Sequence, residues 1–376
     1  MLYLLFILLC FRFSYLYDGN VISPLKINYR PYWFLCIFLI FIAGLRYMNG
    51  GDTHNYYSFF LESRDLESLT ERHFSDSRYQ PGFILLVAFC KSLGNSFVVQ
   101  QIVEALFINI ILFKFIKKNC SAPYIAVLMY FILNYFEYNM EVMRESMAIG
   151  FGVLMYLALE KKKYVFTIIF FMLAYSMHVS ALILAFFPFL MRVRYNKKFL
   201  VLVLALAVLV PFIYISIPNI TYYISIIFNQ EDWVVEAYSQ QEFGSDLNFN
   251  YYIKHEFVWL IVPLYIITYL NKKGYDKFTG FIYSFVLLHV LGMISYAFYR
   301  FANYLAPFWW IVLAEFLIYI YKEKRIRQTL FTYSLTVFIL LYLYQSVQLF
   351  YDAENKQFFY ERYIPYQTVI FNSDSY

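Results

Sequence analysis

The sequence predicts an all-α protein, a polytopic integral membrane protein with about twelve transmembrane helices. Two features of the composition carry this prediction: 62% of the 376 residues are hydrophobic, and only 15% are charged. Soluble domains carry roughly 45–50% apolar and about 25% charged residues, because much of their surface must face water. The third feature is the recurrence of long apolar segments from one end of the chain to the other.

Twelve apolar segments approach the roughly 20 residues that a helix needs to cross a bilayer. The first lacks the basic region and the cleavage site of a secretory signal, so we expect a retained span. Residues 81–94 are short, which favours a re-entrant or interfacial segment, and residues 164–190 are predicted to form a tight hairpin or one broken helix with a re-entrant half. We expect a single membrane domain over residues 1–376. The twelve segments are residues 2–17, 31–45, 97–116, 120–137, 141–159, 164–177, 178–190, 199–217, 254–271, 278–298, 301–321 and 328–350.

Lysine and arginine content assigns the sides of the membrane. Six short connections hold most of the basic residues, and the positive-inside rule places such loops in the cytoplasm. Six cytoplasmic loops among twelve spans put both termini on the opposite, periplasmic face. That face then carries the outer loops 46–80 and 229–253, the shorter segments 138–146 and about 299–303, and the tail 351–376. The six basic connections are residues 18–30, 114–118, 160–163, 191–198, 271–277 and 322–327.

The outer-face segments are poor in lysine yet contain several arginines. Basic residues are disfavoured near short outer loops, so an arginine kept there more often serves a partner. The planar guanidinium group suits bidentate binding of phosphate or carboxylate. The sequence therefore predicts an anion site on this face. The outer arginines are Arg46, Arg64, Arg72, Arg78, Arg144, Arg300 and Arg362.

The stretch GLRYMNGGDTHNYY, residues 44–57, follows an apolar span and concentrates polar groups. Adjacent glycines let backbone N–H groups approach a ligand. We interpret the stretch as an anion-binding bend in which Arg46 supplies the charge and Asp52 either orients it or acts as a base, with His54 beside them. The alternative is a snorkelling arginine followed by an ordinary turn.

A second charged group lies in NYFEYNMEVMRESMAIGFG, residues 134–152. Glu141, Arg144 and Glu145 are predicted to open a helix, where their spacing also permits an intrahelical salt bridge. Ionisable groups at or near membrane depth are costly and usually functional. A helix N-terminus adds a field that favours an anion, so we expect Arg144 to bind one.

Two histidines and a third arginine complete the candidates. His178, in AYSMHVSAL, is the best side chain for proton transfer near neutral pH. A core histidine bonded to Ser176, Ser180 or a carbonyl fits equally. His289 is expected to pack within a span. Arg300, in SYAFYRFANYLAPF, either anchors an aromatic belt or shares an anionic ligand with the other two arginines.

Several further segments and motifs limit which reactions the protein can catalyse. The acidic, aromatic loop 229–253 suits sugar recognition or is an ordinary outer loop, and the tail ERYIPYQTVIF leaves the same alternatives. The sequence contains no Walker A loop, no GxGxxG after a strand, no HExxH and no GxSxG. The four cysteines show no paired spacing, so we expect packing residues and no metal site. No cofactor is predicted, and energy must come from an ion gradient or an already activated substrate.

Six motifs appear in order along the chain: GLRYMNGGDTHNYY, YQPGFILL, NMEVMRESMA, AYSMHVSALIL, YRFANYLAPF and RYIPYQTVIF. The ordered set resembles the EpsG-like family of Wzy-type polysaccharide polymerases and covers nearly the whole length at scattered positions. The chain departs from the family pattern at Gln80, where glutamate is frequent, and at Glu145, where glutamine is common. These departures argue against a catalytic role for either residue.

The resemblance implies a membrane-embedded glycosyltransferase in the bacterial cytoplasmic (inner) membrane, with its active site facing the periplasm. It would transfer a growing glycan from undecaprenyl pyrophosphate to a lipid-linked oligosaccharide repeat unit, in the synthesis of O-antigen (lipopolysaccharide), capsule or exopolysaccharide. Membrane lipids and a chain-length regulator are expected partners, and nucleic acid is not. A lipid-linked oligosaccharide flippase or another transporter is the alternative. An acyltransferase centred on His178 is a third interpretation.

Site roles follow from this resemblance. Arg144 is assigned as the catalytic arginine, and either Asp52 or His178 takes the proton from the acceptor hydroxyl. Arginines bind the pyrophosphate of the donor, and neighbouring polar and aromatic groups bind the rest of the substrate. The substrate-binding residues are expected to be Arg46, Arg300, Glu141, His54, Tyr304 and Tyr366.

Overall fold

The computed structural model describes residues 2–18, 28–216, 249–292, 297–322, 351–352, 357–358, 362–363 and 366–371. These residues are almost entirely helical, which confirms the all-α class. Packing divides the chain into two compact units, Met1–Leu182 with Leu317–Tyr376, and Ile183–Phe316. The single membrane domain over residues 1–376 stays a prediction.

The first unit contains nine α-helices among its described residues. Two π-helical turns interrupt the pattern, at Ser14–Asp18 and Glu137–Glu141, and a 3-10 helix at Val179–Phe186 crosses into the second unit. Tyr351–Asp352 pairs with Gln357–Phe358 as a short antiparallel ladder, β1 and β2. The helices are α1 (Leu2–Phe13), α2 (Tyr29–Gly44), α3 (Thr53–Glu62), α4 (Glu71–Ser75), α5 (Pro81–Leu93), α6 (Phe97–Asn119), α7 (Pro123–Leu133), α8 (Met143–Glu160) and α9 (Tyr164–Met177).

Local sequence explains where the central helices begin. Pro81 and Pro123 occupy the first positions of α5 and α7, where a missing N–H costs no helical hydrogen bond. Ser96 caps α6, because its side chain accepts a hydrogen bond from the Val98 N–H. α6 packs against α2, α5 and α8, so it forms the centre of this unit.

A buried ring of hydrogen bonds fixes the π-helical turn Glu137–Glu141 against α6 and α7. Asn109 Nδ2 donates to Asn139 Oδ1 at 2.8 Å, Asn139 Nδ2 donates to the Tyr130 hydroxyl at 2.8 Å, and that hydroxyl donates to Asn109 Oδ1 at 3.0 Å. Polar networks that are closed in this way hold one arrangement of a core. The π-helical turn is therefore rigid where it ends at Glu141.

The second unit has a core of stacked aromatic rings. Phe281 stacks on Phe308 with ring centroids 3.9 Å apart, and Phe187 meets both rings edge-on. Edge-on and offset contacts suit the ring quadrupoles. Its helices are α10 (Phe187–Leu190), α11 (Lys197–Ser216), α12 (Phe249–Lys272), α13 (Thr279–Gly292), α14 (Ala297–Asn303) and α15 (Ala306–Lys322), the last of which extends past the unit boundary.

Among the described residues, α6 is long and apolar enough to cross a membrane. Residues Ala297–Asn303 and Ala306–Tyr321 pass the same test together as one span bent by 56°. Seven further apolar helices are shorter, with 10–17 residues each. The twelve spans and the periplasmic location of both termini therefore stay predictions.

Three predicted segments can be compared with the structure. Residues 81–94 form one helix, α5, over Pro81–Leu93. The stretch 164–190 breaks at His178, which has extended backbone with φ −154° and ψ 135° between α9 and the 3-10 helix. Of the predicted outer loop 229–253, residues 229–248 lie outside the described part of the chain, and the remainder begins α12.

Candidate functional site

The first and last sequence motifs form one structure. After α2 ends, the chain turns through Met48 and Gly50, which have φ values of 48° and 107°. The C-terminal tail runs antiparallel along this bend, and the Tyr366 hydroxyl donates to the Ile42 carbonyl at 3.0 Å. The backbone bonds are Tyr47 N–H to Gln367 O at 2.9 Å, Val369 N–H to Leu45 O at 3.1 Å and Gly50 N–H to Arg362 O at 3.0 Å.

Glu141 holds the bend from the opposite side. Its carboxylate accepts the Gly51 N–H at 2.7 Å, the Asp52 N–H at 3.2 Å and the Tyr363 hydroxyl at 2.8 Å. The Arg362 guanidinium adds a favourable electrostatic interaction. The bend thus binds an anion, as its glycines predict, but that anion is the protein's own Glu141 carboxylate.

This arrangement corrects the predicted helix that was to hold Glu141 and Arg144 together. Glu141 ends the π-helical turn, whereas α8 begins at Met143. Glu141 turns to the bend and Arg144 bonds Gln80, so they form no intrahelical salt bridge. Burial raises the pKa of Glu141 above its ordinary value, and the bonds from Gly51 and Tyr363 offset only part of that rise.

Arg46 is buried beneath the bend, with 1% of its surface exposed. Its Nη1 donates to the Ala43 carbonyl, and its Nη2 lies 3.3 Å from the Met143 sulfur. A snorkelling arginine would keep its charged head in water, so that alternative is wrong. Arg46 also acts electrostatically on Tyr366, whose pKa burial raises to about 12.

Arg144 is the second residue of α8 and follows Met143, whose sulfur contacts Arg46. Arg144 Nη1 donates to Gln80 Oε1 at 3.2 Å, and the guanidinium lies 4.4 Å from the centre of the Tyr79 ring. Burial raises the pKa of Tyr56 to about 12, and the positive charge of the Arg144 guanidinium partly offsets that rise. Arg144 Nε is buried with no hydrogen-bond partner among the described residues.

Sequence reasoning missed Glu104, which the structure adds to this region. Glu104 is buried in α6, where it accepts a hydrogen bond from Gln100 Nε2 at 2.9 Å. Arg46 acts on Glu104 electrostatically, and Glu104 in turn acts on Tyr56. The available signal was one carboxylate within an apolar span, which is costly and usually functional. We define the arginine cluster as Arg46, Tyr56, Glu104 and Arg144.

The predicted bases lie in different settings. Asp52 is exposed at the start of α3 but acts electrostatically on Tyr56 and Glu141, and His54 is exposed on the same helix. His178 is buried, and its Nδ1 lies 2.6 Å from the Ser180 hydroxyl oxygen. The same Nδ1 accepts a hydrogen bond from the Ser180 backbone N–H at 3.2 Å. This geometry matches the alternative of a core histidine bonded to Ser180.

The remaining candidates belong to the second unit. His289 is part-buried, with Nδ1 2.9 Å from the Phe285 carbonyl, as expected of a packing histidine. Arg300 is half-buried on α14, and Tyr304 is buried at the break between α14 and α15. Their participation in a site with Arg46 stays a prediction. Within the described residues, no group of three or more His, Cys, Asp or Glu is arranged to hold a metal ion.

The described residues form mostly apolar helices, and the arginine cluster lies among them, as expected of a helical membrane protein. The chain matches the EpsG family over residues 29–368 and belongs to that family. This match confirms the resemblance drawn from the six motifs. No curated protein and no solved structure matches the chain significantly.

Proposed function

We propose that the protein is a polysaccharide polymerase that transfers a growing glycan from undecaprenyl pyrophosphate to a lipid-linked oligosaccharide repeat unit. The observation that carries this proposal is the convergence of Arg46 and Arg144 beside Tyr56 and Glu104 in an EpsG-family protein. The proposed reaction takes place at the outer face of the bacterial cytoplasmic membrane, in O-antigen, capsule or exopolysaccharide synthesis.

Arginine chemistry fits the leaving group of this reaction. The acceptor hydroxyl oxygen attacks the anomeric carbon, the bond from that carbon to the diphosphate oxygen breaks, and the carrier diphosphate leaves with the electron pair. Fixed guanidinium groups stabilise the developing negative charge, most strongly where water is scarce. The buried Nε–H of Arg144 is a donor that no described residue of the protein satisfies. A donor already activated by diphosphate needs no nucleotide site.

The other roles are part of the same proposal. Arg144 and Arg46 bind the diphosphate together with Arg300, and Tyr304, Tyr366 and His54 line the substrate path. Asp52 and His178 are the two proton acceptors that the sequence offers. Glu141 orders the bend beside Arg46 through its bonds to the backbone of Gly51 and Asp52. Lipid carriers enter between helices from the bilayer.

The test is the glycan phenotype of a strain in which the only copy of the gene for this protein carries Arg144→Ala. We expect long polymer to disappear while the single-unit glycolipid remains, because removal of one charged ligand of a leaving diphosphate slows transfer selectively. Arg72→Ala is the matched control, since Arg72 is exposed on α4, and should retain normal polymer. Persistence of long polymer in Arg144→Ala would contradict the assignment.

The location of the accumulated intermediate separates polymerase from flippase. A polymerase acts after translocation, so lipid-linked units should collect in the outer leaflet of a null strain. Accumulation in the inner leaflet would instead support transport across the membrane and overturn the proposal.

A further inference from the structure

Three polar side chains lie together in the first two turns of the central helix α6. Gln100 and Gln101 have no exposed surface and Glu104 has 5%. They share one helix face with Phe97, because residues three, four and seven positions apart lie on the same side. Glu104 is seven residues from the start of α6, about 10 Å along the helix axis.

Most of their hydrogen-bonding atoms lack partners among the described residues. Apart from the bond between Gln100 Nε2 and Glu104 Oε1, the buried atoms Gln100 Oε1, Gln101 Nε2, Gln101 Oε1 and Glu104 Oε2 have none. Buried polar groups in proteins are normally bonded, and leaving them unbonded is costly. Several such atoms on one turn of one helix indicate a place where another molecule supplies the bonds.

This face belongs to the arginine cluster. Phe97 meets Tyr57 and Phe60 of α3, so the face is directed at the helix that also carries Tyr56. Glu104 interacts electrostatically with both Tyr56 and Arg46. The carboxylate therefore interacts electrostatically with the groups to which the diphosphate is assigned, and the two amides lie on the same helix face as the carboxylate.

We propose that Gln100, Gln101 and Glu104 form the subsite for the acceptor sugar, with Glu104 Oε2 as the proton acceptor. This inference rests on the proposed polymerase function. Sugar hydroxyls both donate and accept, and they match an amide that offers N–H₂ and C=O next to a carboxylate that accepts. As the acceptor oxygen bonds to the anomeric carbon and the diphosphate departs, the hydroxyl proton passes to Glu104 Oε2.

The test uses the full-length protein purified in detergent and a synthetic repeat unit linked to a lipid diphosphate. Glu104→Gln preserves shape and still accepts the bond from Gln100, so it should lower kcat by about 10²–10⁴-fold with KM within about threefold. Gln101→Leu should raise KM about tenfold with kcat within about threefold, because it removes contacts to the sugar and leaves the base. Glu67→Gln, an exposed carboxylate, is the control and should match wild type.

The outcomes separate this inference from the proposed function. If wild type forms no polymer, the polymerase proposal itself fails. If wild type polymerises and Glu104→Gln retains its kcat, Glu104 is not the base, and an unchanged KM in Gln101→Leu overturns the sugar subsite. Asp52→Asn and His178→Asn test the two acceptors that the sequence offers: a loss of kcat of about 10²-fold or more in either, with kcat retained in Glu104→Gln, would place the base there and overturn the assignment to Glu104. Should Glu104→Gln fail to fold, Glu104→Asp must retain partial kcat, and inactivity of folded Glu104→Asp at every pH would refute the assignment.

Discussion

Gly50→Ala is expected to disrupt the bend that carries Arg46, whereas Gly51→Ala is expected to be tolerated. Gly50 has φ +107°, a conformation that residues with a side chain rarely adopt. A Cβ at Gly50 would lie 2.2 Å from the Met140 carbonyl oxygen, which is backbone of the π-helical turn. Because that turn is fixed by its ring of hydrogen bonds, the clash must displace either the turn or the bend.

The magnitude follows from what the clash breaks. Holding an alanine in left-handed backbone costs roughly 1–2 kcal/mol. Displacing Met140 moves Glu141 from the Gly51 and Asp52 N–H groups, and hydrogen bonds to a charged group contribute about 1.5–3 kcal/mol. The free energy of unfolding should therefore fall by about 3–5 kcal/mol. At roughly 2 °C per kcal/mol, the unfolding temperature falls by about 6–10 °C.

Gly51→Ala is the matched control one residue away. Its Cβ would lie 2.8 Å from Arg362 Nη1 and 2.9 Å from Glu141 Oε2. Both are side-chain ends, and a shift of a few tenths of an ångström relieves the contacts while Glu141 keeps its bonds to the bend, whereas at Gly50 the Met140 backbone must move. We expect a loss of about 1 kcal/mol or less. The assay is thermal unfolding of the purified variants in one detergent, followed by tryptophan fluorescence. Equal unfolding temperatures for the two variants would refute the reasoning.

Two further predictions concern the contacts of the bend. Tyr363→Phe should lower the free energy of unfolding by about 1.5–3 kcal/mol, because the Tyr363 hydroxyl bonds a carboxylate. Tyr366→Phe should lower it by about 1 kcal/mol, because the Tyr366 hydroxyl bonds a neutral carbonyl. Thermal unfolding of both variants checks this order, and the reverse order would contradict it. The pKa of Glu141 is raised above its ordinary 4.5, so the folded protein binds the Glu141 proton more tightly than the unfolded protein does. The stability that this tighter proton binding contributes is lost as pH rises from 4.5 through the raised pKa. Unfolding temperatures between about pH 4 and pH 8 should show this slope in wild type and lose it in Glu141→Gln; the same slope in both would assign it to another group.

Part of the candidate site can be predicted from the sequence, because the sequence gives the type of each side chain and its lysine and arginine content predicts the membrane side. Arginine on a face predicted to be poor in basic residues led to the prediction that Arg46 and Arg144 serve one region. That shared role stays a prediction, and the structure shows Arg46 in contact with Met143, the residue before Arg144. The glycine pair predicted an anion-binding bend, and the backbone N–H groups of Gly51 and Asp52 do bind one.

The rest depends on contacts between distant segments. That the bound anion is Glu141 follows from the π-helical turn, whose boundary no local pattern marks. The tail meets the bend through residues 318 positions apart in the chain, such as Gln367 and Asn49. Glu104 was missed because an apolar span is recognised by its average composition, which conceals a single carboxylate. A polar residue inside such a span therefore carries more information than the span around it.

The central claim is that the arginine cluster binds the diphosphate of the lipid carrier. The most direct measurement is the affinity of the purified protein for undecaprenyl pyrophosphate, compared between wild type, Arg144→Ala and the exposed control Arg72→Ala. We predict at least about tenfold weaker binding for Arg144→Ala, equivalent to about 1.4 kcal/mol, with the control unchanged. Equal affinity in all three proteins would contradict the claim.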